Sequence, residues 1–201
     1  MRGPVPRLTR SSLMALVLVG RLALGHHQLL HGQTTPAIGG ALQRGALSFD
    51  GKATLGDFTG TTSTVRAEMT GAALAEVKGW VDAPVNTLKT GNDRRDRDLN
   101  KSMESEKFPT IRFDLASVRV QWERGDSAAV ELAGKFTIHG ISREATFDAM
   151  VLRQSTGTRL LSSLPMNLKD YSISGLSKFF GTLKMHPDIV VHIDLLFGPA
   201  G

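Results

Sequence analysis

Between Leu88 and Phe113 the chain reads LKTGNDRRDRDLNKSMESEKFPTIRF, a dense set of groups able to do chemistry. Asp93, Asp96, Asp98, Glu104 and Glu106 stand among Arg94, Arg95, Arg97, Lys101 and Lys107, so the run from Asp93 to Lys107 carries no net charge. A nucleic-acid or phosphate patch needs surplus positive charge to displace counterions, and this run has none. Asp98 and Arg97 lie three and four residues before Lys101, so a short helix over Asp98–Lys107 would set such pairs on one face. The run reads either as self-neutralising surface or as a site that uses a few of its arginines.

Other reactive residue types are sparse. The chain has no cysteine, which excludes disulfides, thiolate metal sites and cysteine nucleophiles. His26, His27 and His31 fall in GHHQLLHGQTTPAIGG, a loose polar stretch without a ligand pattern. His139 and Glu144 in HGISRE lack the spacing of a zinc-protease helix and read as strand, turn, strand. His186 and His192 are six apart across Pro187, and His192 lies in a strand pattern, which suits a structural or surface role. No glycine loop to cradle phosphate and no ordered Ser–His–Asp set is evident, and sequence cannot set the separation of paired carboxylates. The expectation is a protein that is not an enzyme, with no cofactor, no metal and no nucleic-acid partner.

The elements that would hold these residues are mostly strands. TIRFDLASV alternates Ile111, Phe113 and Leu115 with Arg112 and Asp114, as a half-buried antiparallel strand does, with the apolar set facing inward. EVKGWVDAPV puts Val77, Gly79, Val81 and Ala83 on one face and Trp80 on the other. VELAGKFTIHGISREATFDAMVL reads as two strands around a turn at Gly140, and DIVVHIDLLF as the last strand. RLLSSLPMNLKDY is a weaker strand in which Pro165 fits an edge or bulge. Besides Asp98–Lys107, the helical candidate is GLSKFFGTLKM, with Leu176, Phe180 and Leu183 at spacings of four and three and Phe179 beside them. About eight strands with no room for βαβ crossovers predict an all-β closed barrel or sandwich with one or two short helices. An eight-stranded barrel either fills itself or holds one small ligand.

The 201 residues suit one domain, and the net charge of +5 comes largely from the start of the chain. Arg2, Arg7, Arg10 and Arg21 have no acidic neighbour within the first thirty residues; without them, 20 of the 24 basic residues face 19 acidic ones. A basic start followed by the apolar run Leu13–Val19, too short to span a bilayer, reads as an export signal over residues 1–30. Residues 31–45 read as a flexible linker and 46–197 as the folded domain. The expected location is periplasmic or secreted.

The ordered segments LKTGNDRRDRDL, EKFPTIRF, GKFTIHGISREATF, KDYSISG and VVHIDLLF together resemble the YceI-like family, from about Leu47 to Phe197. That resemblance implies a lipocalin-like, extended eight-stranded antiparallel barrel that carries a long lipid in an apolar lumen. Thr90, Gly91 and Asn92 match the family's Thr-Gly-Asn turn, and Arg95 and Asp96 its Arg-Asp pair. Phe108, Pro109, Thr110, Ile111 and Phe113 match its Phe-Pro-Thr-Ile-x-Phe element, His139 and Gly140 its Thr-Ile-His-Gly turn, and Asp170 and Tyr171 the start of its late loop. These are framework residues; Arg95 and Asp96 are expected to brace a loop, each through a different partner. Asp98, where many members have His, and Ser102 with Met103, in place of an aromatic pair, depart from the pattern. The expected ligand is an isoprenoid quinone, a polyprenyl compound or another long-chain lipid, touched by Ile111, Phe113, Leu115, Phe179, Phe180 and Leu183, with transient membrane contact. The alternative is a filled barrel acting as an envelope or stress-related interaction module.

Overall fold

The computed structural model describes residues 38–54, 56–173 and 185–198. Nine strands follow in order: β1 (Ile38–Ala53), β2 (Phe58–Thr62), β3 (Arg66–Gly71), β4 (Lys78–Pro84), β5 (Thr110–Arg124), β6 (Ser127–Ile138), β7 (Ile141–Gln154), β8 (Gly157–Asn167) and β9 (Met185–Phe197). All pairings are antiparallel, and β9 returns to pair with β1 from Leu42↔Phe197 to Ala53↔Met185, which closes an eight-stranded barrel. The extra strand β2 lies along the same edge of β1 as β3, against Leu47–Gly51, while β3 takes Ile38–Ala41. The fold is therefore the all-β, lipocalin-like barrel that the strand count and the resemblance imply.

Alternation builds the wall. Phe113 and Leu115 are buried, and with Ile111 they face the interior, while Arg112 and Asp114 point outward. The outer side chains form a cross-strand charge ladder. Asp82 of β4 receives Arg66 Nε of β3 at 2.7 Å and lies 3.9 Å from Arg112 of β5, whose guanidinium, also paired with Asp114 of its own strand, stacks 4.6 Å from the Trp80 ring. Such pairs fix the register that keeps the apolar set inside.

Two boundaries differ from the sequence reading. β1 starts at Ile38, inside the stretch assigned to the linker, because Ile38–Ala41 gain partners on β3 that the local sequence does not reveal. The helix, α1, spans Asp93–Ser102 rather than Asp98–Lys107. Asn92 sets its start by accepting the Arg95 N–H at 3.0 Å, and Asp93 and Asp96 favour the positive end of the helix dipole. The helix ends at Met103, and Glu104 takes a left-handed φ of 45°. The second helical candidate, GLSKFFGTLKM, lies outside the described residues except for Met185, which opens β9.

The wall has an open seam between β7 and β8. The β7–β8 ladder stops at Ala149↔Ser162, where the Ser162 hydroxyl donates to the Asp148 carbonyl at 2.7 Å. Beyond it, β7 continues back to Ile141 on β6 alone, and β8 continues to Asn167 on β9 alone. Pro165 falls in this splayed part, where an absent N–H costs no β7 bond, as its edge-or-bulge reading requires. After β8, a 3-10 turn at Leu168–Tyr171 crosses to the far side of the seam: its Asp170 carbonyl accepts from Arg143 Nε on β7 at 3.0 Å.

Candidate functional site

Inside the barrel lies a cavity of about 170 Å³. Ile111, Phe113 and Leu115 of β5 line it, as the alternation predicts. Opposite and beside them stand Val81 and Ala83 of β4, Leu132 and Phe136 of β6, Phe147 of β7, and Val191, Ile193, Leu195 and Phe197 of β9. Phe113, Phe136 and Phe147 form a ring cluster with centroids 4.6, 5.3 and 5.9 Å apart. Close approach is possible because Gly134 has no side chain; a Cβ there would run into the Phe113 ring. Of the lining residues only Ser48, Thr62, Asp82 and Thr158 carry polar side chains. Asp82 is already committed to Arg66, and Thr62 shares a 2.7 Å hydrogen bond with Thr87.

One end of the lumen is covered by α1, whose Leu99 and Met103 face inward at a spacing of four. Sequence reasoning missed them as lining residues, although their helical spacing beside buried Asp96 was a usable signal. Four methionines, Met69, Met103, Met166 and Met185, belong to the lining. Their unbranched thioethers adapt to shape more readily than branched side chains. The lumen can therefore exclude water, hold an apolar body by dispersion and area burial, and offer it almost no hydrogen bonds. Of the expected lipid contacts, Phe179, Phe180 and Leu183 lie outside the described residues.

The charged run from Asp93 to Lys107 braces this end. Asp96 Oδ1 accepts both the Thr90 hydroxyl (2.6 Å) and the Thr90 N–H (2.8 Å). Those bonds hold the Asp96 carboxyl below its ordinary pKa, against the opposing pull of burial, with Lys89 and Arg95 adding attraction. Arg95 donates to the Thr90 carbonyl at 3.1 Å and lies 4.3 Å over the Phe58 ring. The expectation of separate partners is corrected: both side chains converge on Thr90, through different atoms, because the turn at Gly91 (φ 71°) folds Thr90 back over the first turn of α1. Pro109 accepts the Val85 N–H at 2.9 Å and so anchors the start of β5. His139 and Gly140, both at positive φ (52° and 74°), make the two-residue turn between β6 and β7. Tyr171 is buried behind that turn, and burial pushes its phenol pKa up.

A serine, a histidine and a carboxylate do meet in space. His192 Nδ1 lies 2.7 Å from Ser163 Oγ, and its Nε2 lies 2.9 Å from Asp50 Oδ2, which holds the Asp50 carboxyl below its ordinary pKa. The set sits on the outer wall, with His192 and Asp50 about half exposed. Thr59 extends the line by donating to Asp50 at 2.7 Å, so the bonds run across β8, β9, β1 and β2 over the closing seam. This is the structural, surface role expected of His192. Among the described residues no group of three potential ligands is placed to hold a metal ion.

A family model described as the YceI-like domain matches residues 42–197. Among solved structures, BcnA of Burkholderia cenocepacia superposes with a TM-score of 0.64 at 15% identity, covering 75% of this chain and 94% of its own. A polyisoprenoid-binding domain from Saccharophagus degradans, implicated in plant cell wall breakdown, gives 0.65 at 15% identity, covering 79% and 97%. The YceI protein of Campylobacter jejuni gives 0.57 at 19% identity, covering 71% and 85%. These likenesses establish the shared barrel. No curated protein matches the chain significantly.

Proposed function

The chain belongs to the family of proteins built on a YceI-like domain, and from that membership we propose that it binds a long-chain lipid, an isoprenoid in particular, in its lumen. The observation that carries this reading is the lining itself: only four of its residues carry polar side chains, and two of those are already bonded to neighbours. A polyprenyl chain leaving water gains roughly 0.8 kcal/mol per buried CH₂ and asks for no polar partners. The likeness to a structure described as polyisoprenoid-binding supports the isoprenoid choice. A cavity of about 170 Å³ is smaller than a long chain needs, so the wall must yield on binding, and the four methionines are the side chains best suited to do so. Ile111, Phe113 and Leu115 are the proposed contacts on β5, joined by Phe179, Phe180 and Leu183. In this reading the basic leader and Leu13–Val19 support export from the cytoplasm, and the protein meets membranes transiently.

The Phe113–Phe136–Phe147 cluster favours a second reading, in which the barrel fills its own interior and works through its surface. Thermal melting with and without menaquinone-4 separates the two. A lumenal ligand at 100 times its Kd stabilises by about 2.7 kcal/mol, a rise of several degrees in Tm. Phe180→Ala should shrink that rise. A wild-type Tm that stays fixed with every quinone, polyprenyl alcohol and fatty acid tried would favour the filled barrel.

A further inference from the structure

His139 sits where three segments meet beside the open seam. Its Nδ1 lies 3.0 Å from the Tyr171 carbonyl oxygen, and its Nε2 lies 3.1 Å from Oε1 of Glu104. The ring packs edge-on to Phe108, 4.8 Å between centroids, and only 10% of the side chain is exposed. A carbonyl and a carboxylate are both acceptors, with no hydrogen to give. The imidazolium, with two N–H groups, satisfies both. The neutral ring has one N–H, so whichever nitrogen keeps it, the other turns a lone pair toward an oxygen. His192 provides the contrast: its Ser163 partner can donate or accept, so both protonation states are satisfied there.

The three segments tied by His139 each continue a piece of lumen wall. Met103 precedes Glu104, Ile138 precedes His139, and Leu168 begins the 3-10 turn that ends at Tyr171; all three line the cavity. That turn is what crosses the seam where β7 and β8 part. We propose that His139 is a proton-dependent latch on this seam: the imidazolium holds the turn across it, and loss of the proton frees one tie and opens lateral access to the lumen. The role as a gate for ligand rests on the lipid-binding reading; the latch itself does not.

The charged surroundings fit a local device. Glu104 is shared with Lys107, whose Nζ lies 3.8 Å from Oε2 and 4.8 Å from the Phe108 ring centroid. Lys107 gives the freed carboxylate an alternative partner. Across the seam Arg143 Nε also donates to the Asp170 carbonyl, so the turn has a second tether and can loosen without leaving. The Asp170 carboxyl adjoins Tyr171, and its charge reaches the buried Tyr171 phenol.

Glu104→Gln tests the latch in the full chain. Glu104 is half exposed, so the change spares the core, and an amide can accept from the imidazolium or donate to the neutral ring. The tie then survives whether the ring carries one proton or two. Without lipid, the amides of Ser172 and Ile173, which bond to Lys169 and Leu168, report on the turn by hydrogen exchange corrected for intrinsic rate. Wild-type protection there should fall about tenfold from pH 5 to pH 8 relative to the β6–β7 ladder, and Glu104→Gln should hold it constant. Constant wild-type protection, or an equal fall in the variant, overturns the latch. With menaquinone-4 as probe, release from wild type should be about tenfold faster at pH 8, and release from the variant should not change. A probe that binds but leaves both proteins at pH-independent rates overturns the gate. A probe that binds neither protein counts against the lipid reading instead, and the exchange result still decides the latch.

Discussion

Thr90 gathers the side chains that made the sequence look like an active site. Its N–H and hydroxyl both reach Asp96 Oδ1, and its carbonyl takes Arg95. Asp96 is buried, so Asp96→Ala would strand two donors rather than expose them to water. We expect a loss of about 2 kcal/mol, read as a lower urea midpoint. Asp96→Asn, which keeps one acceptor, should lose less, and an unmoved midpoint in both would show that the brace carries no weight. The sequence shows that Arg95 and Asp96 are special, but not that they share a partner. Adjacent helical residues point in different directions, and only the fold of the Gly91 turn brings Thr90 within reach of both. Ser163, His192 and Asp50 were illegible for a similar reason: up to 142 positions separate members of the set, and barrel closure alone joins them.

Strands were legible where one face meets apolar surroundings and the other meets water. TIRFDLA carries that signal in full, and Phe113 and Leu115 are buried while Arg112 and Asp114 pair on the outer face. β1 carried it poorly. Its first residues, Ile38–Ala41, read as linker because Gly39 and Gly40 have no side chains to show a pattern. The helix was misplaced by five residues because charge pairs suggested its body while Asn92 fixes its start. At the β6–β7 turn, Gly140 has a left-handed φ, and a Cβ there would run into the Phe108 ring. Gly140→Ala should therefore cost at least about 1 kcal/mol in left-handed strain alone. Displaced Phe108 would disturb the His139 ring packed against it. Chemical unfolding of the variant measures this, and a wild-type midpoint would mean that the turn relaxes freely.

For the whole molecule, acid is the expected weakness. Hydrogen bonds from Arg159 to Asp194, Arg119 to Glu131, Thr90 to Asp96 and His192 to Asp50 each hold a carboxyl below its ordinary pKa. A depressed folded-state pKa stabilises above the unfolded value and is lost as pH falls through the folded one. These carboxylates should therefore make Tm drop as pH falls below about 4, where unfolded carboxylates begin to bind protons. A Tm that rises on acidification through that window would contradict the assignment of these bonds. The same molecule-wide view joins the brace at Thr90, the turn at His139 and the seam between β7 and β8 as supports for one apolar interior. What that interior holds is the central claim. Purification of the full chain from its native host under mild, detergent-free conditions, followed by solvent extraction and mass spectrometry, addresses it directly. A long-chain lipid, isoprenoid in mass pattern, should be recovered in near-stoichiometric amount from folded protein. Protein that repeatedly yields no lipid, and takes up none when offered quinones or polyprenyl alcohols, would contradict it.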